Sequence, residues 1–149
     1  MSEHRARVEW RRGDAPFTYQ EYSRNHTWGF TGGVEVPASA APAYLGEEQR
    51  VDPEEAFVAS LSSCHMLTFL ALCAKKRLLV ESYRDEAVGH LEKNDAGKLA
   101  VSRVVLRPTI EFGGDNRPSR DELAHLHDRA HAHCFIANSV TTEVTVEES

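Results

Sequence analysis

A chain of 149 residues, 41% of them hydrophobic, has material for a proper core and reads as one domain over 1–149. Its 17 basic and 23 acidic residues leave a formal charge of −6, which argues against a nucleic-acid surface, and no run of like charge is long enough for an interaction tail. Three cysteines, an odd number, fit a reducing cytoplasm better than a secreted disulfide framework.

The N-terminus Met1-Ser2-Glu3-His4-Arg5 has no apolar stretch behind it, so no signal peptide is expected. The alternation from Arg5 to Arg12 predicts a half-buried strand. Gly13-Asp14-Ala15-Pro16 reads as a turn, and Phe17 to Tyr22 resumes the alternation, predicting an opening hairpin. A further strand is expected over His26–Phe30 and Val34–Val36, broken at Gly32-Gly33, followed by an irregular loop from Pro37 to Gln49.

Asp52 is placed to cap a helix, with Pro53 at its first position and Glu54 and Glu55 in a first turn whose dipole favours acids. Lys75, Lys76 and Arg77 mark the far end. Between them the side chains are apolar almost all round, which predicts a central helix buried on all sides. At about 26 residues it would be about 39 Å long. Its longest apolar run, Met66 to Ala74, is too short and too interrupted to span a membrane.

Two strands, Val80–Glu92 and Leu99–Phe112, are joined by the turn Asn94-Asp95-Ala96-Gly97-Lys98, and Gly113-Gly114-Asp115-Asn116 ends the sheet. Ser119-Arg120-Asp121-Glu122 is a capping box opening a second helix that reaches about His133. An alternating strand, Val140 to Val146, closes the chain. Strands, helix, strands, helix, strand make an α+β fold with mostly antiparallel sheets.

Cys64 and Cys134 are the chemical handle. A thiol reacts as its thiolate, which nearby cations favour, and two thiols brought together by folding form a reversible disulfide. Against this, a cysteine in the middle of an apolar helix is usually an inert small hydrophobe. Cys73 lies about 180° around the helix from Cys64 at 100° per residue and is the better candidate for such a core thiol. His127, His131 and Cys134 share a face if the second helix continues to Cys134. With Cys64 and His65 they would make a partial metal set, although no CxxC or HExxH motif is present. Arg24 is either a surface charge or the partner of a thiolate. There is no phosphate loop, nucleophile elbow or dinucleotide fingerprint.

The sequence resembles the OsmC/Ohr superfamily, named for osmotically inducible protein C and organic hydroperoxide resistance protein, along nearly its whole length. The resemblance rests on Asp52-Pro53-Glu54-Glu55 ahead of Ser62-Ser63-Cys64-His65-Met66, on Cys134-Phe135-Ile136-Ala137-Asn138-Ser139, and on Thr142-Glu143-Val144-Thr145-Val146. His65 and Phe135, where the organic-hydroperoxide branch commonly has an aromatic residue and a proline, place the chain nearer the OsmC-like branch.

What the resemblance implies is a thiol peroxidase working without haem, flavin or metal. Cys64 would be the peroxidatic cysteine, Cys134 the resolving one, Glu54 the helix-start glutamate of the site, and Arg24 the arginine paired with it. The implied fold is an intertwined homodimer, antiparallel sheets wrapping two central helices. The implied partners are a hydroperoxide substrate and a dithiol reductant such as a lipoylated protein, beside the expectation from charge and the short apolar run of no nucleic acid and no membrane. Two other readings stand beside this one: a metal-binding or redox-sensing protein using Cys64, His65, His131 and Cys134, and a dimer that binds a small molecule without turnover.

Overall fold

A computed structural model describes residues 1–148. They form two compact units, the first over residues 1–56 and the second beginning at Phe57.

In the first unit three antiparallel strands, β1 (Ala6–Glu9), β2 (His26–Phe30) and β3 (Glu35–Ala38), form a sheet in that order. Ala6 faces Phe30 across the β1–β2 ladder, and Trp28 faces Val36 across β2–β3. The predicted strand Phe17–Tyr22 does not form; these residues are turns and bends, and the partner of β1 is β2. The reason is local. Trp10, Phe17 and Tyr22 pack on one another with ring centroids 5.1–6.0 Å apart. Arg24 donates to the carbonyls of Tyr22 and Tyr19, both at 2.7 Å, and Trp10 Nε1 to that of Ser23 at 2.7 Å. Side chains thus satisfy carbonyls that a ladder would otherwise have used. The loop after β3 contains a 3₁₀ turn at Pro42–Tyr44. Gly46 lies so close to the Ala40 carbonyl that an added Cβ would fall 1.6 Å from its oxygen, so no other residue fits there.

The helix α1 (Pro53–Lys75) has 23 residues. Asp52 and Glu55 cap it reciprocally: Asp52 Oδ1 accepts from the Glu55 amide at 2.8 Å and Glu55 Oε1 from the Asp52 amide at 3.1 Å. It ends with Arg77 at φ 59° and the Leu78 amide bonded to the Cys73 carbonyl, a left-handed stop made without glycine. An 18-residue window of α1 has mean hydropathy 1.7, so by length and composition the helix is apolar enough to cross a bilayer, which corrects the shorter span read from Met66–Ala74. The core helix of a water-soluble protein carries the same signature.

Burial on all sides, expected for this helix, is not what one chain provides. Leu61, His65, Phe69, Leu72 and Cys73 are buried, while Ala59, Ser63, Leu67 and Ala71, at four-residue spacing, are exposed. The second unit covers only one side of α1.

Both long strands of the second unit are broken once. β4 (Leu79–Asp85) and β5 (Val88–Lys93) replace the first, and β6 (Leu99–Leu106) and β7 (Pro108–Gly113) the second. β4 pairs with β7 and β5 with β6, both antiparallel, so one hairpin continues through a bend into two sheets. Its turn is the predicted one: Asn94 Oδ1 accepts from the amides of Ala96 and Lys98, both at 3.0 Å, and Gly97 takes φ 75°. β8 (Glu143–Val146) lies parallel to β6, the one parallel ladder of that sheet. The helix α2 (Arg120–His133) starts at the expected box, with Ser119 Oγ accepting from the Glu122 amide at 3.1 Å.

Two cores organise this unit. Phe69, Leu72, Cys73, Leu78, Leu126 and Ala130 join α1 to α2, with Val80, Tyr83 and Ile110 packed against them. Leu61, Val104 and Leu106 form the other, with Val58, Ile136 and Ala137 against it.

Candidate active site

Ile136 and Ala137 pack against the cluster of Leu61, Val104 and Leu106, which ties the segment after α2 to the core that α1 and β6 share. Cys134 closes α2 as its C-cap, its amide bonded to the His131 carbonyl. The turn beyond is tied down by the Asn138 amide on the Cys134 carbonyl at 3.0 Å, Asn138 Nδ2 on the Ala132 carbonyl at 3.2 Å and Ser139 Oγ on the Phe135 carbonyl at 2.8 Å. Polar residues of the Asn138-Ser139 pair therefore fix the backbone that presents the sulfur.

The result is a thiol pair. Cys64 is partly exposed on α1, Cys134 is buried, and the two thiols are close enough to perturb each other. Burial pushes the Cys134 thiol above the ordinary range, and the neighbouring Cys64 pushes the same way, against the amide of Ala137, which donates to the Cys134 sulfur at 3.4 Å. One sulfur is thus reachable from outside and its neighbour is held as a protonated thiol. Cys73 belongs to the other core; burial pushes it up to about 11, with Lys76 opposing. It is a packing group.

Arg24 and Glu54, expected as an ion pair, are in the first unit. They line one cavity of about 240 Å³ with His26, Ser39, Ala40, Ala41, Tyr44 and Pro53. Among the described residues no ion pair joins them. The Arg24 guanidinium is instead spent on its own loop, lying 3.6 Å from the Tyr22 ring centre and 5.0 Å from that of Tyr19 while donating to both carbonyls. Glu54 Oε2 is buried without a hydrogen-bond partner. The fork geometry expected of the pair is absent because stacking on tyrosine and two neutral acceptors already satisfy the guanidinium.

The histidines do not gather as a metal set. Among the described residues no three His, Cys, Asp or Glu side chains come together in a group that could hold a metal ion. The helix stops at His133, so Cys134 leaves the shared face, and His131 is exposed. His65 and His127 are both buried and bond each other, Nε2 to Nδ1, at 3.0 Å. Their rings stack 5.3 Å apart at 10°, and His127 also stacks on Phe69 at 4.5 Å. Burial, with His127 and His131 adding to it, pushes His65 down to about 4. Burial likewise lowers His127, against Glu148, Asp128 and Asp85.

The signal for this pair was present in the spacing. His65 continues the stripe Leu61, His65, Phe69, and His127 is four after Leu123 and three before Ala130. Each takes the place of an apolar residue on the inward face of its helix.

Residues 46–149 match a protein-family model described as OsmC-like protein. Over the whole of both chains the sequence is 55% identical, with a TM-score of 0.96, to a solved OsmC-like protein of unknown function from Vibrio cholerae O1 biovar eltor str. N16961. The fold is shared with an organic hydroperoxide resistance protein of Legionella pneumophila, at 19% identity, 100% and 98% coverage and a TM-score of 0.72. It is shared also with one of Bacillus subtilis, at 14% identity, 97% and 98% coverage and a TM-score of 0.64. No curated protein matched the sequence.

Proposed function

Because this chain belongs to the OsmC-like family, whose model covers residues 46–149, we propose that it is a cysteine-based thiol peroxidase that reduces organic hydroperoxides or hydrogen peroxide. One observation carries the reading: a partly exposed thiol, Cys64, lies close enough to a buried one, Cys134, to shift its proton affinity. Neighbours of the same fold bear the name organic hydroperoxide resistance protein, which supports a redox role.

The chemistry follows from the pair. The Cys64 thiolate attacks the distal oxygen of the peroxide, the O–O bond breaks, and an alkoxide leaves to take a proton and become an alcohol. Cys64 is then a sulfenic acid, two electrons poorer. The Cys134 sulfur attacks it, an S–S bond forms, and the hydroxyl departs as water with the Cys134 proton. Burial and the Cys64 contact keep that proton on Cys134 beforehand. A dithiol then reduces the disulfide and leaves as its own cyclic disulfide. Such a cycle requires a reducing compartment, in keeping with a cytoplasmic protein.

The test is direct. The reduced protein is mixed with cumene hydroperoxide, and free thiols, intact mass and cumyl alcohol are measured. Two of the three thiols should disappear, the mass should fall by two hydrogens, and one alcohol should appear per chain oxidised. Peroxide left unconsumed with all thiols intact overturns the reading.

A further inference from the structure

Cys64 is on α1 and Cys134 caps the C-terminus of α2, and the two helices share a buried polar contact. His65 follows Cys64 in α1, and His127 lies two turns before Cys134 in α2. Their bond at 3.0 Å is buried against the core of Phe69, Leu72, Cys73, Leu78, Leu126 and Ala130, His127 lying on the Phe69 ring. His127 rests on the α1 face formed by His65 and Phe69, stacked on both rings. Apolar contacts in that core tolerate sliding; a hydrogen bond between two stacked rings sets one distance and one rotation. Breaking it also leaves a buried nitrogen without a partner, so the arrangement resists drift.

We infer that His127, acting through His65, is a positioning residue that sets the approach of the Cys134 thiol to Cys64. The inference rests on the peroxidase reading for its biological meaning, but the geometry it concerns is the closure of a disulfide by any oxidant. His127 acts on neither sulfur nor substrate directly. It governs the second step, closure, and leaves the first step, oxidation of Cys64, unchanged.

Two substitutions separate the hydrogen bond from the stacking. His127→Phe keeps a ring on Phe69 and loses the bond; His127→Asn places an amide near the position of Nδ1 and keeps a bond to His65. Each is made in a Cys73→Ala background and checked for folding by circular dichroism. Sulfenic acid is trapped with dimedone to time the first step, and intact mass follows closure and over-oxidised Cys64.

In His127→Phe, closure should slow by about tenfold or more, since small misplacements of reacting atoms are costly, while Cys64 oxidation stays within about twofold of the parent. Over-oxidation should rise, and His127→Asn should recover most of the closure rate. Closure at the parental rate in His127→Phe overturns the inference, as does an equal loss in both variants. If His127→Phe does not fold, His65→Phe is measured against His65→Gln on the same terms.

Closure is also timed with diamide, which takes two electrons and two protons from the two thiols to become a hydrazine. Should the parent ignore peroxide yet close with diamide faster than His127→Phe does, the peroxidase reading falls and the positioning role stands.

Discussion

Ser62 donates its hydroxyl to Asp85 Oδ2 at 2.5 Å, joining the middle of α1 to the end of β4. The other oxygen of Asp85 accepts from the Arg107 amide at 2.6 Å, where β6 gives way to β7. One carboxylate thus ties the helix to both strands at the bend of the long hairpin. Asp85→Ala should cost about 2 kcal/mol, two hydrogen bonds at about 1 kcal/mol each, and Asp85→Asn roughly half of that, because an amide offers one acceptor where a carboxylate offers two. Urea unfolding measures both; an Asp85→Ala midpoint equal to that of the wild type would show the tie to be energetically idle.

The roles of the thiols differ, and so should their loss. Cys64→Ser is expected to consume no peroxide. Cys134→Ser should form the Cys64 sulfenic acid once and, with nothing to capture it, be carried by further peroxide to the sulfinic or sulfonic acid. Mass spectrometry of the peroxide-treated variants decides this, and equal single-turnover rates for Cys64→Ser and wild type would remove Cys64 from the first step.

Cys73 is in the core and its thiol is held protonated by burial at a pKa of about 11. Cys73→Ala should cost about 1 to 2 kcal/mol of stability and leave peroxide turnover unchanged. A disulfide between Cys64 and Cys73 after oxidation, found by peptide mapping, would contradict the helical geometry.

Acid should loosen the contact between α1 and α2. His65 is neutral in the folded protein down to about pH 4 but titrates near 6.5 when unfolded. Between those values only the unfolded chain takes up the proton. Stability is therefore full above pH 6.5 and declines as pH falls toward 4, by up to about 3 kcal/mol from this group. The groups that face the pair are His131 toward His65 and Glu148, Asp128 and Asp85 toward His127. The measurement is unfolding free energy from pH 7.5 to 4.5 in wild type and His65→Gln; the two curves should converge as pH falls, and parallel curves would refute the assignment.

The exposed side of α1 calls for cover. Leu67 is 61% exposed in the middle of an apolar helix, in line with exposed Ala59, Ser63 and Ala71. Bare apolar surface of this kind marks an association site, and the small residues let a second helix come close. The chain is expected to sediment at twice its 16.7 kDa mass at micromolar concentration, and Leu67→Glu should yield monomers. A wild-type chain that sediments as a folded monomer would refute this.

Much of this protein was legible in its residue order, because the signals concerned were local. The Asp52 and Ser119 caps, the Asn94 turn and the α+β succession each depend on groups a few positions apart. Other features were decided by groups distant in the chain. Arg24 and three aromatic rings turned an alternating segment into a loop, since carbonyls accept equally well from a guanidinium and from a strand. Asp85 set the bend between sheets from a position with no local mark. The meeting of Cys64 with Cys134 depends on Ile136 and Ala137 packing against the cluster of Leu61, Val104 and Leu106, a long-range arrangement that spacing does not encode. The same holds for His65 and His127: periodicity marks each as inward-facing, but only the approach of α2 to α1 makes them partners, because a buried imidazole takes whichever neighbour the packing supplies.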